Sequence, residues 1–237
     1  MTTITLPNSV LVGIANLVHF TPQRKVDRDT SPILGNVQVT IEPRHPEPSP
    51  SDGVDPSTAV LTAISTDRYM VGRYTVVLDA AFVPAETVSF LLSVDLLKDV
   101  KPKPTDIDDW KIGIEEHGDR EYNTAQYLPT KVFIDNTSRA VTGYVIGGNY
   151  PPVARLIPGT DTTELADLQP EYLLHLDYVA RIAKVVAPYG GRTPDNIWTL
   201  TGTTGPNATD KPRPVVWTTE FGEHGYLVML QPNMKLR

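Results

Sequence analysis

Three segments of this sequence share one pattern, a Pro closing an extended stretch and then a run with helical apolar spacing: Leu6–Phe20, Val83–Leu97 and Leu168–Val186. In the first, Val10, Leu11, Ile14, Leu17 and Val18 fall on one helical face, and Asn8 stands where an N-cap belongs. In the second, Pro84 suits a first helical turn, Glu86 favours the positive end of the helix dipole, and Val88, Leu91 and Leu92 make the stripe. The third predicts a stripe of Leu173, Leu176, Val179, Ala180 and Ala183, with Arg181 and Lys184 on the opposite, polar side.

Between these segments lie alternating, β-branched runs: NVQVTIE, AVLTAIST, RYTVVLD, KIGIEE, KVFIDN, AVTGYVIG, NIWTLTG, PVVWTTE and YLVML. Units of this kind, starting about 80 residues apart, are too long for a solenoid repeat. They predict an α+β fold of antiparallel sheets with amphipathic helices on one face. Glu42–Ser57, rich in Pro and Ser, reads as a long mobile hairpin loop, and Lys101–Asp109 as a second loop. The shift to GGNYPPVARLIP at Gly147–Pro158 marks a crossover, which divides the chain into expected domains 1–148 and 149–237.

Composition removes whole classes of function. With no Cys among 237 residues there are no disulfides, thiolate metal sites or cysteine nucleophiles. A net charge of -7 repels nucleic acid and anionic membrane alike, so any DNA contact needs a local basic patch. The N-terminus lacks a basic and apolar leader, and no apolar run approaches a membrane span, which predicts a cytoplasmic protein with no membrane partner. TGTTGP at Thr201–Pro206 has glycines without the Lys of a phosphate loop and reads as a turn. Asp106, Asp108 and Asp109 fail the EF-hand spacing, since Lys111 and His117 stand where Gly and Glu are needed. The five His are scattered singly; His175 is the least ordinary, lying in the third helix near Arg181. No catalytic site, metal or cofactor is expected.

Five stretches, taken in order, resemble the second and third domains of the bacterial DNA polymerase III β sliding clamp. They are ITLPNSVLVGIANLVHF, SPILGNVQV, ISTDRYMVGRYTVVL, GGNYPPVARLIP and YLVMLQPNMKLR, and together they span nearly the whole chain. The clamp's first domain has no counterpart, and the segment after the crossover holds one clear helix where a clamp domain normally carries two. The resemblance implies a ring of about six domain equivalents around DNA, so a two-domain chain would close as a homotrimer.

In that family, polymerases and repair enzymes dock a short linear peptide in an apolar pocket between the last two domains. Carried onto this sequence, the resemblance implies a pocket of Leu34, Thr66, Val71, Pro151, Leu156, Leu227 and Met229, with either Leu230 or Met234 replacing one wall. An apolar, Met-containing groove suits peptide anchors because burial supplies most of the energy. The resemblance further implies sequence-independent contact with double-stranded DNA through Gln23, Arg24 and Lys25 after the first helix, Lys98, Lys101 and Lys103 after the second, and Arg181 and Lys184 on the third. The first helix has no Lys or Arg.

The expectation is a reduced, phage-type processivity clamp without chemistry of its own, tethering a polymerase to DNA, with a clamp loader as a candidate partner. The rival is a non-encircling clamp mimic, an interaction module acting on host replication proteins. Oligomeric mass separates the two.

Overall fold

The computed structural model describes residues 2–44, 58–115, 129–146, 150–157, 164–166, 174–189, 197–204 and 214–230. In chain order these form β1 (Thr2–Leu6), α1 (Asn8–Asn16), α2 (Lys25–Thr30), β2 (Asn36–Arg44), β3 (Thr58–Thr66), β4 (Met70–Leu78), β5 (Val88–Ser93) and α3 (Val94–Val100). There follow β6 (Trp110–Glu115), β7 (Pro129–Asp135), β8 (Ala140–Ile146), β9 (Glu164–Ala166), α4 (Leu176–Ile182), β10 (Thr199–Thr204), β11 (Val215–Phe221) and β12 (His224–Leu230). The fold class is α+β with antiparallel sheets, as the alternating runs predict, and its helices are few and short.

Two sheets carry the structure. One has the order β1-β6-β7-β8, the other β5-β2-β3-β4-β12-β11-β10-β9. Period-two burial explains the strands: Val37, Val39 and Ile41 of β2 and Ala59, Leu61 and Ala63 of β3 are all fully buried, with polar or half-exposed residues between them. The larger sheet crosses the expected domain boundary through β4 and β12, which pair from Thr75 with Gly225 to Met70 with Leu230. β2 and β3 pair up to Arg44 opposite Thr58, so the expected hairpin forms. Residues 45–57 at its tip lie outside the described residues, as do 147–149 and Pro158 of the expected crossover.

α1 is buried nearly all round, with Val10, Leu11, Val12 and Ile14 in the core, which accounts for its lack of basic residues. Tyr74 and Phe20 pack so closely that only glycine fits beside them: a Cβ on Gly13 would lie 2.3 Å from Tyr74 Cζ, and one on Gly72 2.1 Å from Phe20 Cδ2.

Four expectations are corrected. Val83–Leu97 is not one helix: Val88–Ser93 is the edge strand β5, where Val88, Phe90 and Leu92 alternate toward the core, and α3 starts at Val94 with Ser93 as N-cap. Asn8 does not cap α1, because the cap position is Pro7; its side chain instead crosses to Trp110 and the Lys101–Asp109 loop. Thr201–Thr204 belongs to β10, not a turn, since the four β-branched Thr of that strand favour the pleated ladder; Gly205 and Pro206 lie outside the described residues.

The fourth concerns the third helix, described only over Leu176–Ile182, with 167–173 outside the described residues. Its faces match those expected only in part: Val179 packs against the core and Lys184 is exposed, but Ala180 and Ala183 of the expected stripe are exposed as well. Leu176 is 80% exposed, while Arg181 and Ile182 are buried, because the Arg181 guanidinium finds a carboxylate and two carbonyls inside.

Candidate functional site

The site is built where β3, β4 and β12 meet the crossover. Thr66 ends β3, and Val71 and Met229 lie opposite each other across the β4–β12 pairing. Cross-strand pairing therefore puts Thr66, Val71 and Met229 in one row. The crossover, turning through Val153–Leu156, supplies Pro151, Val153 and Leu156 above this row, and the turn at Pro32–Gly35 supplies Leu34.

The result is a cavity of about 260 Å³. Six of the seven residues carried over from the clamp resemblance line it: Leu34, Thr66, Val71, Pro151, Leu156 and Met229. Leu227 does not. It lies one row farther along, opposite Arg73, buried in an apolar patch with Ile64, Val216 and Ile157. Leu230 is buried in the main core, and Met234 lies outside the described residues. The sequence reading missed Ser31, Ile33, Arg68, Tyr69 and Val153 in the lining, although all five sit inside the stretches that carried the resemblance. Leu156 and Tyr69, on the cavity's lining, are 50% and 62% exposed.

A tight turn fixes one wall. Asp67 Oδ1 accepts from the Tyr69 and Met70 backbone N–H at 3.0 and 2.9 Å, and Thr66 Oγ1 donates to Met70 O at 2.8 Å. Arg68 sits at φ 83, in the left-handed region, and its guanidinium donates to Ser31 Oγ.

Ser31, Leu34, Arg68 and Tyr69 also line a second, polar cavity of about 710 Å³ between the Pro22–Ser31 segment and α4. Gln23, Arg24, Arg181 and Lys184, all expected to meet DNA, line this cavity. Arg24, Lys25 and Lys184 are exposed. Gln23 spends its amide on the Val18, His19 and Thr21 carbonyls, and Arg181 is buried. The expectation of Arg181 as an outward-facing cation is therefore corrected. Lys98 and Lys101 are exposed at the end of α3, where Lys101 takes φ 45 as the left-handed cap, and Lys103 is exposed in the loop beyond. Three of these cations lie near His19, whose pKa is pushed down to about 4 by burial first, then by Lys184, Arg181 and Lys98.

Among the described residues, no group of three or more His, Asp or Glu is placed to hold a metal ion, and no helix is long and apolar enough to cross a membrane. Asp106 Oδ2 accepts from Lys103 N, and Asp108 accepts from Thr137. His175 lies exposed on the cavity rim, capping α4.

No family model matches the chain, and no curated protein matches it in sequence. Solved structures do. The Helicobacter pylori β clamp bound to a DNA ligase peptide matches at a TM-score of 0.56 and 11% identity, over 98% of this chain and 65% of that one. The same clamp in complex with 3,4-difluorobenzamide gives 0.57 and 9%, over 98% and 66%. PCNA of A. fulgidus, in a complex with the C-terminal region of FEN-1, gives 0.51 and 10%, over 100% of both chains. The chain thus spans about two thirds of the bacterial clamps' length. Its fold is that of the DNA sliding clamps.

Proposed function

We propose that this chain is a DNA polymerase sliding clamp: a processivity factor that encircles duplex DNA as a homo-oligomer and docks its polymerase through a short peptide motif. The observation that carries this reading is the 260 Å³ cavity at the β4–β12 crossing, lined by six of the residues that the clamp resemblance implies for a peptide pocket. Val71 and Met229 floor it, Leu156 overhangs it, and the fold around it is that of proteins solved with partner peptides. DNA contact falls to Arg24, Lys25, Lys98, Lys101 and Lys184, a cationic set local enough to act despite the acidic whole. In this reading the chain has two clamp-like domains, 1–148 and 149–237, three copies close the ring, and a loader opens it.

The net charge of -7 and the buried, uncharged α1 favour a second reading, a non-encircling mimic that binds the same peptides. Light scattering after gel filtration separates the two. A ring of three gives a mass near three times 26.1 kDa, whereas a strict monomer at micromolar concentration supports the mimic.

A further inference from the structure

Resting on the docking reading, we infer that Arg181 is the positioning residue of the peptide pocket, although α4 contributes no side chain to its lining. Its Nη1 donates to Asp67 Oδ2 at 2.6 Å, its Nε to His19 O at 2.5 Å and its Nη2 to Thr21 O at 3.0 Å. The guanidinium carbon lies 5.2 Å from the centre of the Tyr178 ring. Side chains of the ion pair are 10% and 8% exposed.

Asp67 lies in one segment that walls the pocket, and His19 and Thr21 lie just ahead of a second; the crossover supplies a third wall through Pro151, Val153 and Leu156. Asp67 organises the turn bearing Thr66, Arg68 and Tyr69, through its other oxygen. Thr21 opens the segment that runs to Ser31, Ile33 and Leu34. One planar fork therefore sets the spacing of the first two walls from a helix on the far side of the crossover.

Stability alone does not require such a group, because well-packed apolar residues serve a buried ion pair's place as well or better. Fixed direction does require it: a guanidinium presents several donors in one rigid plane, which an ammonium on a flexible stem lacks. With three of its donors engaged inside the protein, Arg181 holds the pocket and does not reach for phosphate.

The test titrates a fluorescent ten-residue peptide with one Leu and one Phe anchor into the full chain, well below the melting temperature. Four proteins are compared: wild type, Arg181→Lys, the double variant Arg181→Met/Asp67→Asn, and Trp110→Phe, which loses a buried hydrogen bond in the other sheet. Arg181→Lys keeps a charge toward Asp67 but loses the fork, so affinity falls about tenfold. The double variant removes both charges, keeps the fold and binds as poorly. Trp110→Phe melts earlier and binds as wild type does.

Wild-type affinity in both Arg181 variants overturns the inference while leaving the docking reading intact. So does an equal loss in Trp110→Phe, which marks general destabilisation, or a loss of duplex DNA binding in Arg181→Lys with peptide affinity unchanged. If the wild-type chain binds no such peptide, the docking reading fails and takes this inference with it. Should Arg181→Lys not fold, the double variant alone decides.

Discussion

The Tyr74 hydroxyl lies 2.5 Å from His224 Nδ1 across the β4–β12 pairing, with the two rings stacked at 5.9 Å. Tyr226 packs 5.0 Å from Tyr74, and its hydroxyl accepts from Asn16 Nδ2 at 2.8 Å. Asn16 in turn holds both the carbonyl and the N–H of Val186, beyond α4. Buried polar groups thus tie α1, β4, β12 and the α4 segment together at the expected domain boundary. Such a network specifies one arrangement because an unpaired member is costly.

Acid should loosen this junction. Burial lowers the His224 pKa, and burial with the nearby cations pushes His19 down to about 4 from 6.5. Both must be neutral in the fold while the unfolded chain takes up protons near pH 6.5, so stability falls as pH drops below about 6.5 and, for His19, levels off near 4. The urea midpoint should be lower at about pH 5 than at about pH 7.5, and His19→Gln should flatten the difference. An unchanged midpoint in the wild type contradicts this assignment.

The sequence made the strands legible and the helices much less so. Alternating, β-branched runs located β2, β3, β4, β6, β7, β8, β10, β11 and β12, since antiparallel strands with a buried face write their burial into the chain. Val83–Leu97 misled because Val88, Leu91 and Leu92 satisfy a helical period, whereas the true inward set is Val88, Phe90 and Leu92. Arg181 misled because a charge on an amphipathic pattern is assigned to solvent, and its partner Asp67 stands 114 residues away. The pocket was legible as a family resemblance in short stretches, while Tyr69 and Arg68 entered it through turn geometry that no spacing encodes.

Steric contacts at two glycines give a sharp test of the core. Gly72→Ala drives a methyl into the Phe20 ring and Gly13→Ala drives one into Tyr74, so each should cost about 1–3 kcal/mol by urea unfolding. Gly35→Ala is the control, since its nearest neighbour is Arg28 Cδ at 3.4 Å, on a flexible side chain. Equal effects at all three positions would show that these packings are not specific.

Asn8 holds the Lys101–Asp109 loop to the start of α1. Its amide donates to Lys103 O at 2.7 Å and Asp106 O at 2.8 Å, and its carbonyl accepts from Trp110 Nε1 at 2.8 Å. Asn8→Ala leaves the buried Trp110 donor unpaired, and calorimetry should register a loss of about 1–3 kcal/mol. A loss of only a few tenths means that water replaces the amide without cost.

Removing exposed cations should weaken duplex DNA binding without regard to sequence. For each of Lys98→Ala and Lys184→Ala, the slope of log K against log salt should shrink by about 0.9, the signature of one lost phosphate contact. A salt slope unchanged in both variants would remove these residues from the DNA face.

The docking pocket is best tested at Leu156, because this side chain overhangs the cavity while half exposed, so that Leu156→Asp leaves the core unburdened. A peptide with two apolar anchors should bind the wild type in the micromolar range, about -8 kcal/mol, of which anchors worth about 1.5–3 kcal/mol each supply about 3–6. A carboxylate in the wall takes away the anchor's partner and adds its own desolvation cost. Isothermal titration calorimetry of a Leu156→Asp protein with an unchanged circular dichroism spectrum should show no binding. Unchanged affinity in that folded variant would contradict the account.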